Sequence, residues 1–239
     1  MTRFAAAVLG ASGNVGGCVV SSLLGEPRCT KIVLLNRRTL EKYNNEPKVI
    51  QHVVDMDNIS TAAVPLLQEA QVGACFVTMG IGKPSKATRE EFERVDLEIP
   101  TAFAQASKSA GCVRHISLLG SVSANPDAKP GKLLGTAAGG GLYLMVKGKV
   151  EQNFEAAGLE SAAFFRPGTL VGNTNTPPMA ATISKMVSWA LPLKFKEIHV
   201  EDLGGAMVKA AVKSLDDGGP KVARYEGASL FGLLDKKES

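Results

Sequence analysis

Apolar positions fall into short unbroken runs, separated by longer stretches in which they recur every three or four residues. Phe4–Leu9, Lys31–Leu35, Val49–Val54, Ala74–Thr78, Val113–Leu118 and Ser161–Phe165 are the short runs. Phe4–Leu9 reads as a buried strand and the others as strands. Between them Val15–Leu24, Asn58–Ala70, Arg89–Ser109 and Tyr143–Ala157 carry the helical period. Pro65 predicts a disturbance in the second of these helices and Pro100 a kink in the third. Strand alternating with helix is the pattern of a parallel sheet covered on both sides. The expected class is therefore α/β, with a doubly wound, mostly parallel sheet.

The rhythm loosens after Arg166. Ile183–Ala190 and Leu203–Val212 read as helices, Ile198–Val200 and Val222–Tyr225 as short strands, and Asn173–Pro178 as a polar loop. Asn125–Gly141 is rich in glycine and proline and reads as a mobile loop, a candidate lid.

Composition narrows the function classes. A chain of 239 residues with 45 % hydrophobic positions can bury a real core. Its 27 Lys and Arg against 23 Asp and Glu leave a net charge of +4, with the basic residues scattered, so no nucleic-acid surface is expected. Cys18, Cys29, Cys75 and Cys112 show no C-x-x-C spacing, and no His lies at zinc-ligand distance from them, so reduced thiols and no metal site are expected. The apolar run near the first residue is shorter than a secretory h-region, and no stretch approaches the ~18 apolar residues of a membrane span. A soluble, cytoplasmic protein is expected. His52, His115 and His199 read as structural, and Trp189 as core or pocket wall.

Chemistry enters at Gly10-Ala-Ser-Gly13-Asn-Val-Gly16, between the first strand and the first helix. Gly10 permits a tight turn, Gly13 lets backbone approach a pyrophosphate, and Gly16 lets helix pack on sheet. The helix N-terminus then presents N–H groups to the phosphates. This makes the fold Rossmann-like. The second strand ends in Asn36-Arg37-Arg38, with no carboxylate to hold a ribose 2′-OH. A guanidinium at Arg37 or Arg38 can pair with a 2′-phosphate, so the expected cofactor is NADP(H). Asp55, ending the third strand, is placed either to touch the adenine amino group or to cap the next helix.

Tyr143 and Lys147 stand four residues apart and share a helix face. An ammonium beside a phenol favours the phenolate, so the pair can exchange a proton with a carbonyl or alcohol oxygen. Ser121, after the fifth strand, is the candidate to polarise that oxygen. Ser117 and Ser123 are its neighbours, and Gly120 occupies another position where a serine could serve.

Together these residues resemble the short-chain dehydrogenase/reductase superfamily, in its atypical, extended-like branch. They are most similar to the Tat-interacting, oxidoreductase-like tumour-suppressor family. The resemblance is carried by the glycine turn, Arg37-Arg38, Arg94-Val95-Asp96, Arg114-His115 with Leu118-Leu119, Leu142–Glu151 and Phe165-Arg-Pro-Gly168. It implies NADPH binding, with Gly10, Ser12, Gly13, Asn14, Val15 and Gly16 around the phosphates and Arg37 at the 2′-phosphate. It further implies Gly80 along the cofactor, Tyr143 and Lys147 as acid and base, and Pro167 and its successors to Leu170 at the nicotinamide. The loop between Ser121 and Tyr143 is longer than the family's, and Gly120-Ser121 stands where the family tends to carry two serines.

Residues 1–239 are thus expected to form one domain, with 1–170 as the dinucleotide-binding core and 171–239 as a small C-terminal region walling the substrate side. The expected partner is a small carbonyl or alcohol; whether a homodimer or a protein partner exists stays open. Two function classes remain: an NADPH-dependent oxidoreductase, or a non-catalytic NADPH-binding regulator acting through protein contacts. A sugar-nucleotide epimerase with NAD uses a similar fold, but Arg37-Arg38 and the short C-terminal portion argue against it.

Overall fold

The structure, a computed structural model, describes residues 2–82, 87–129, 140–172 and 192–234. The six apolar runs form β1 (Phe4–Leu9), β2 (Cys29–Asn36), β3 (Val49–Val53), β4 (Val72–Val77), β5 (His115–Leu119) and β6 (Ser161–Arg166). Three further strands follow: β7 (Thr169–Val171), β8 (Glu197–His199) and β9 (Val222–Glu226). Seven of them make one sheet in the order β3-β2-β1-β4-β5-β6-β9, every pair parallel. β7 and β8 pair separately. The chain starts in the middle and winds outward both ways, so the order reverses beside β1 and opens a crevice at the strand C-termini.

All of β1 is buried, and its side chains alternate between two cores. Ala6 and Val8 pack with α1 (Asn14–Gly25) through Val15, Val19 and Leu23, and with α6 (Val200–Asp217) through Leu203 and Met207. Ala7 and Leu9 face α2 (Ile59–Glu69), α4 (Ile99–Ala110) and α5 (Gly141–Ala157) through Leu67, Phe103 and Phe154. Each such Leu or Phe contributes about 1.5–3 kcal/mol by leaving water. Residues Leu203 and Val222 belong to the stretch expected to wall a substrate pocket, yet α6 covers α1 and β9 completes the sheet.

The prolines act differently from expectation. α2 runs through Pro65 without a break. Thr61, whose carbonyl loses its partner there, is exposed and can bond water instead. Before Pro100 the helix widens: α3 (Arg89–Glu93) passes through a π turn at Arg94–Glu98 into α4. The wider turn accommodates a proline ring that would crowd the carbonyl four residues back. A Thr88–Glu91 capping box starts α3.

The expected mobile loop is anchored at its start. The Asn125 N–H donates to the Leu144 carbonyl at 3.0 Å, and a Cβ on Gly148 would lie 2.1 Å from the Pro126 nitrogen. Residues 130–139 of that loop, the polar loop at 173–178, the helix expected at 183–190 and Trp189 lie outside the described residues. Cys29 and Cys75 are buried and free, and burial pushes the Cys75 thiol up to about 12. Among the described residues no helix is long and apolar enough to cross a membrane.

Candidate active site

β1 runs straight into the glycine turn. Gly10 takes φ +104°, and a Cβ there would lie 2.5 Å from the Met79 nitrogen, so the turn lies flat against the end of β4. A Cβ on Gly16 would lie 2.1 Å from the Gly10 carbonyl oxygen, which seats α1 on the turn. Gly13 differs. It is exposed, its nearest neighbour to a built Cβ is the Gly10 oxygen at 3.4 Å, and it stands as the N-cap of α1. No side chain caps α1 and its first turn holds no acid, so its leading N–H groups are left for a ligand. A pyrophosphate fits this cradle: Gly10 and Gly16 close it from behind and Gly13 leaves its mouth bare.

That mouth opens on a cavity of about 310 Å³. Nine of the candidate residues line it: Gly13, Asn14, Val15, Gly80, Ser121, Tyr143, Lys147, Pro167 and Leu170. Asp96 lines it too. Gly10 and Gly16 shape the turn beside it, and Ser12 is exposed on the turn. Arg37 and Arg38 are exposed beyond the end of β2 and do not line the cavity. Asp55 is exposed, and both its oxygens serve a helix cap, accepting from the Asp57 N–H at 3.1 Å and from Asn58 Nδ2 at 2.8 Å. A larger hollow of about 460 Å³ lies along α4 and α5 and holds none of these residues.

The Tyr143 and Lys147 side chains are held from three sides. Tyr143 stacks on Phe92 with ring centroids 5.7 Å apart and planes 15° apart. Lys147 Nζ lies 5.8 Å from the Tyr143 ring centre. Lys147 is buried and bonds Asp96 Oδ1 at 2.8 Å. Burial by itself works against the ammonium, but the Asp96 carboxylate outweighs it and the Lys147 pKa ends above its ordinary value. Sequence reasoning left Asp96 without a role, because nothing local ties an acid in one helix to a lysine in another.

The candidate serine positions differ in their surroundings. Ser117 is buried against His115 Nε2 at 2.9 Å, and Ser123 does not line the cavity. A side chain at Gly120 would put its Cβ 3.0 Å from Glu151 Oε1. Ser121 lines the cavity together with Tyr143 and Lys147. Beneath it Arg166 grips Glu151 in two bonds of 2.9 and 2.6 Å and reaches Glu226 at 3.3 Å. Burial raises the Glu151 pKa, against the pull of Arg166. The clamp fixes the residue immediately before Pro167.

No protein-family model matches the chain. Protein HTATIP2 of Rattus norvegicus is 34 % identical over 168 residues, 69 % of this chain and 62 % of that protein. The chain therefore spans less than two thirds of that relative's length. Protein fmp52, mitochondrial, of Emericella nidulans is 24 % identical over 217 residues, 88 % of each chain. FMP52-1, mitochondrial, of Scheffersomyces stipitis is 25 % identical over 237 residues, 96 % of this chain and 98 % of the other. Among solved structures, the Bordetella bronchiseptica enzyme WbmH in complex with NAD+ superposes with a TM-score of 0.67 at 17 % identity, covering 95 % of this chain and 76 % of that one. UDP-glucuronic acid 4-epimerase from Bacillus cereus, in complex with NAD, gives 0.67 at 14 % identity, over 94 % and 78 %. These likenesses bear out the α/β parallel architecture. The fungal relatives' names overturn the cytoplasmic expectation; composition and hydropathy carry no address of that kind.

Proposed function

Because the chain is an atypical short-chain dehydrogenase/reductase related to HTATIP2, we propose that it is an NADPH-dependent oxidoreductase that interconverts a carbonyl and an alcohol. One observation carries this reading: the bare N-terminus of α1 opens on the cavity that Tyr143, Lys147 and Ser121 also line. A dinucleotide with its pyrophosphate on α1 brings a hydride donor or acceptor to that cavity.

The chain's own residues do the rest. Ser121 donates a hydrogen bond to the carbonyl oxygen. Tyr143 gives that oxygen its proton in reduction and takes one back in oxidation. Lys147 stabilises the phenolate left behind and keeps N–H donors for the ribose. Pro167, held by the Arg166 clamp, braces the nicotinamide side. Arg37 and Arg38 provide the positive charge for a 2′-phosphate. The whole chain acts as one domain, and a mitochondrial location, supported by the fungal relatives' names, belongs to the same reading.

The test is a titration of the purified protein with NADPH and with NADH, followed by nucleotide fluorescence and melting, then a screen of carbonyl substrates. NADPH at a hundredfold excess over Kd should stabilise the fold by about 2.7 kcal/mol. Binding of neither nucleotide overturns the reading. NADPH binding without turnover of any carbonyl leaves the regulator as the function.

A further inference from the structure

One charged group in the cavity has no part in the scheme above. Asp96 sits in the π turn between α3 and α4 and is 4 % exposed. Its two oxygens take different partners: Oδ1 accepts from Lys147 Nζ at 2.8 Å, and Oδ2 accepts the Ile81 N–H at 2.8 Å. We propose that Asp96 is a positioning residue, which fixes the Lys147 ammonium in its charged form beside Tyr143 and ties it to the loop after β4.

Several independent features converge on this contact. The π turn carries Asp96, in a stretch where an uninterrupted α-helix would turn its side chains differently. Gly80 makes room for it, since a Cβ there would lie 2.9 Å from Oδ1. The Lys147 side chain is buried, and a buried ammonium without a counter-charge gives up its proton. The other groups facing Lys147 cannot replace Asp96. Tyr143, on the same helix, is a neutral phenol until it has lost its proton. Glu151, one turn further along, is committed to Arg166 at 2.6 Å.

Asp96 takes one donor of the ammonium and leaves the others for Tyr143 and the ribose. The contact also runs through Ile81, which lines the cavity, so Lys147 is tied to the loop that a cofactor would touch. The proposal rests on the oxidoreductase reading only for what Lys147 serves, not for how it is held.

Competitive acetylation with acetic anhydride, read by mass spectrometry of the Lys147 peptide, tests it without any substrate. Exposed lysines of the same protein serve as the internal reference. In the wild type the labelling of Lys147 should begin at higher pH than that of the reference. In Asp96→Asn its midpoint should fall by at least one pH unit, about a tenfold faster reaction at pH 8, since a neighbouring opposite charge shifts a group by about 1–3 units. Gly80→Ala should act in the same direction by pushing Oδ1 off the ammonium, and it carries the test if Asp96→Asn does not fold. An unchanged midpoint in a folded variant overturns the proposal. A parallel sample with NADPH separates the two ideas: failure of NADPH to protect Lys147 counts against the cofactor reading and leaves the Asp96 result standing.

Discussion

Arg37→Ala takes a guanidinium from the exposed end of β2. A charge-assisted bond of this kind is worth about 1.5–3 kcal/mol, so NADPH affinity should fall about 10–100-fold while NADH affinity holds. Fluorescence titration with both nucleotides checks it, and an equal loss for the two would refute the 2′-phosphate assignment. Tyr143→Phe keeps the ring on Phe92 and removes the hydroxyl. Turnover should drop about 10²–10⁴-fold with NADPH affinity intact. Half of the cavity lining was legible at this scale, because a glycine turn and a Tyr-x-x-x-Lys pair advertise themselves over a few residues. Asp96 was not, since its partner lies 51 positions away on α5 and no local spacing links them. The tight space at Gly120 was not legible either, because the Glu151 oxygen 3.0 Å from a Cβ there lies 31 positions away on α5.

Among the elements, β1, the glycine turn and α1 form the unit on which the site depends. Gly13 and Gly16 have different roles in the turn, and alanine at each should fail in its own way. At Gly16 the new methyl meets the Gly10 carbonyl at 2.1 Å, so the melting temperature itself should drop. At Gly13 the methyl meets only a 3.4 Å contact, so the apo protein should melt near the wild type and lose nucleotide binding. Equal melting of the two variants would contradict this division of labour. The inner strands of the main sheet were readable because β1, β2, β4, β5 and β6 are dense apolar runs. β7, three residues long, is too short to show a period, while β8 at Glu197–His199 overlaps the short strand expected at Ile198–Val200. The kink expected at Pro100 became a π turn, a hydrogen-bond pattern that apolar spacing does not encode.

The molecule as a whole should weaken in acid through His115. Its ring is buried, with Nδ1 3.2 Å from Ser161 Oγ and Nε2 2.9 Å from Ser117 Oγ, and burial lowers its pKa from 6.5 to about 4. The folded state therefore holds it neutral where the unfolded chain takes up a proton. Its contribution is present above pH 6.5 and is lost as the pH falls toward 4. Between pH 7 and pH 5 this amounts to about 2 kcal/mol. Denaturant unfolding at both pH values measures it, and His115→Gln should lack that part of the loss; an identical loss in the variant would assign it elsewhere.

The seating of α6 on α1 has a consequence for the order in which the chain is made. Gly204 lies so close that a Cβ there would come within 2.8 Å of Cys18, so the two helices share one seam. α1 and its glycine turn leave the ribosome nearly two hundred residues before α6. Until then the outer flank of α1 is bare and β6 ends the sheet with an unpaired edge, a surface that invites association with other chains. The cradle is thus completed only once the chain beyond Val200 has been made, and a nascent chain stalled before Val200 would expose that bare surface to other chains.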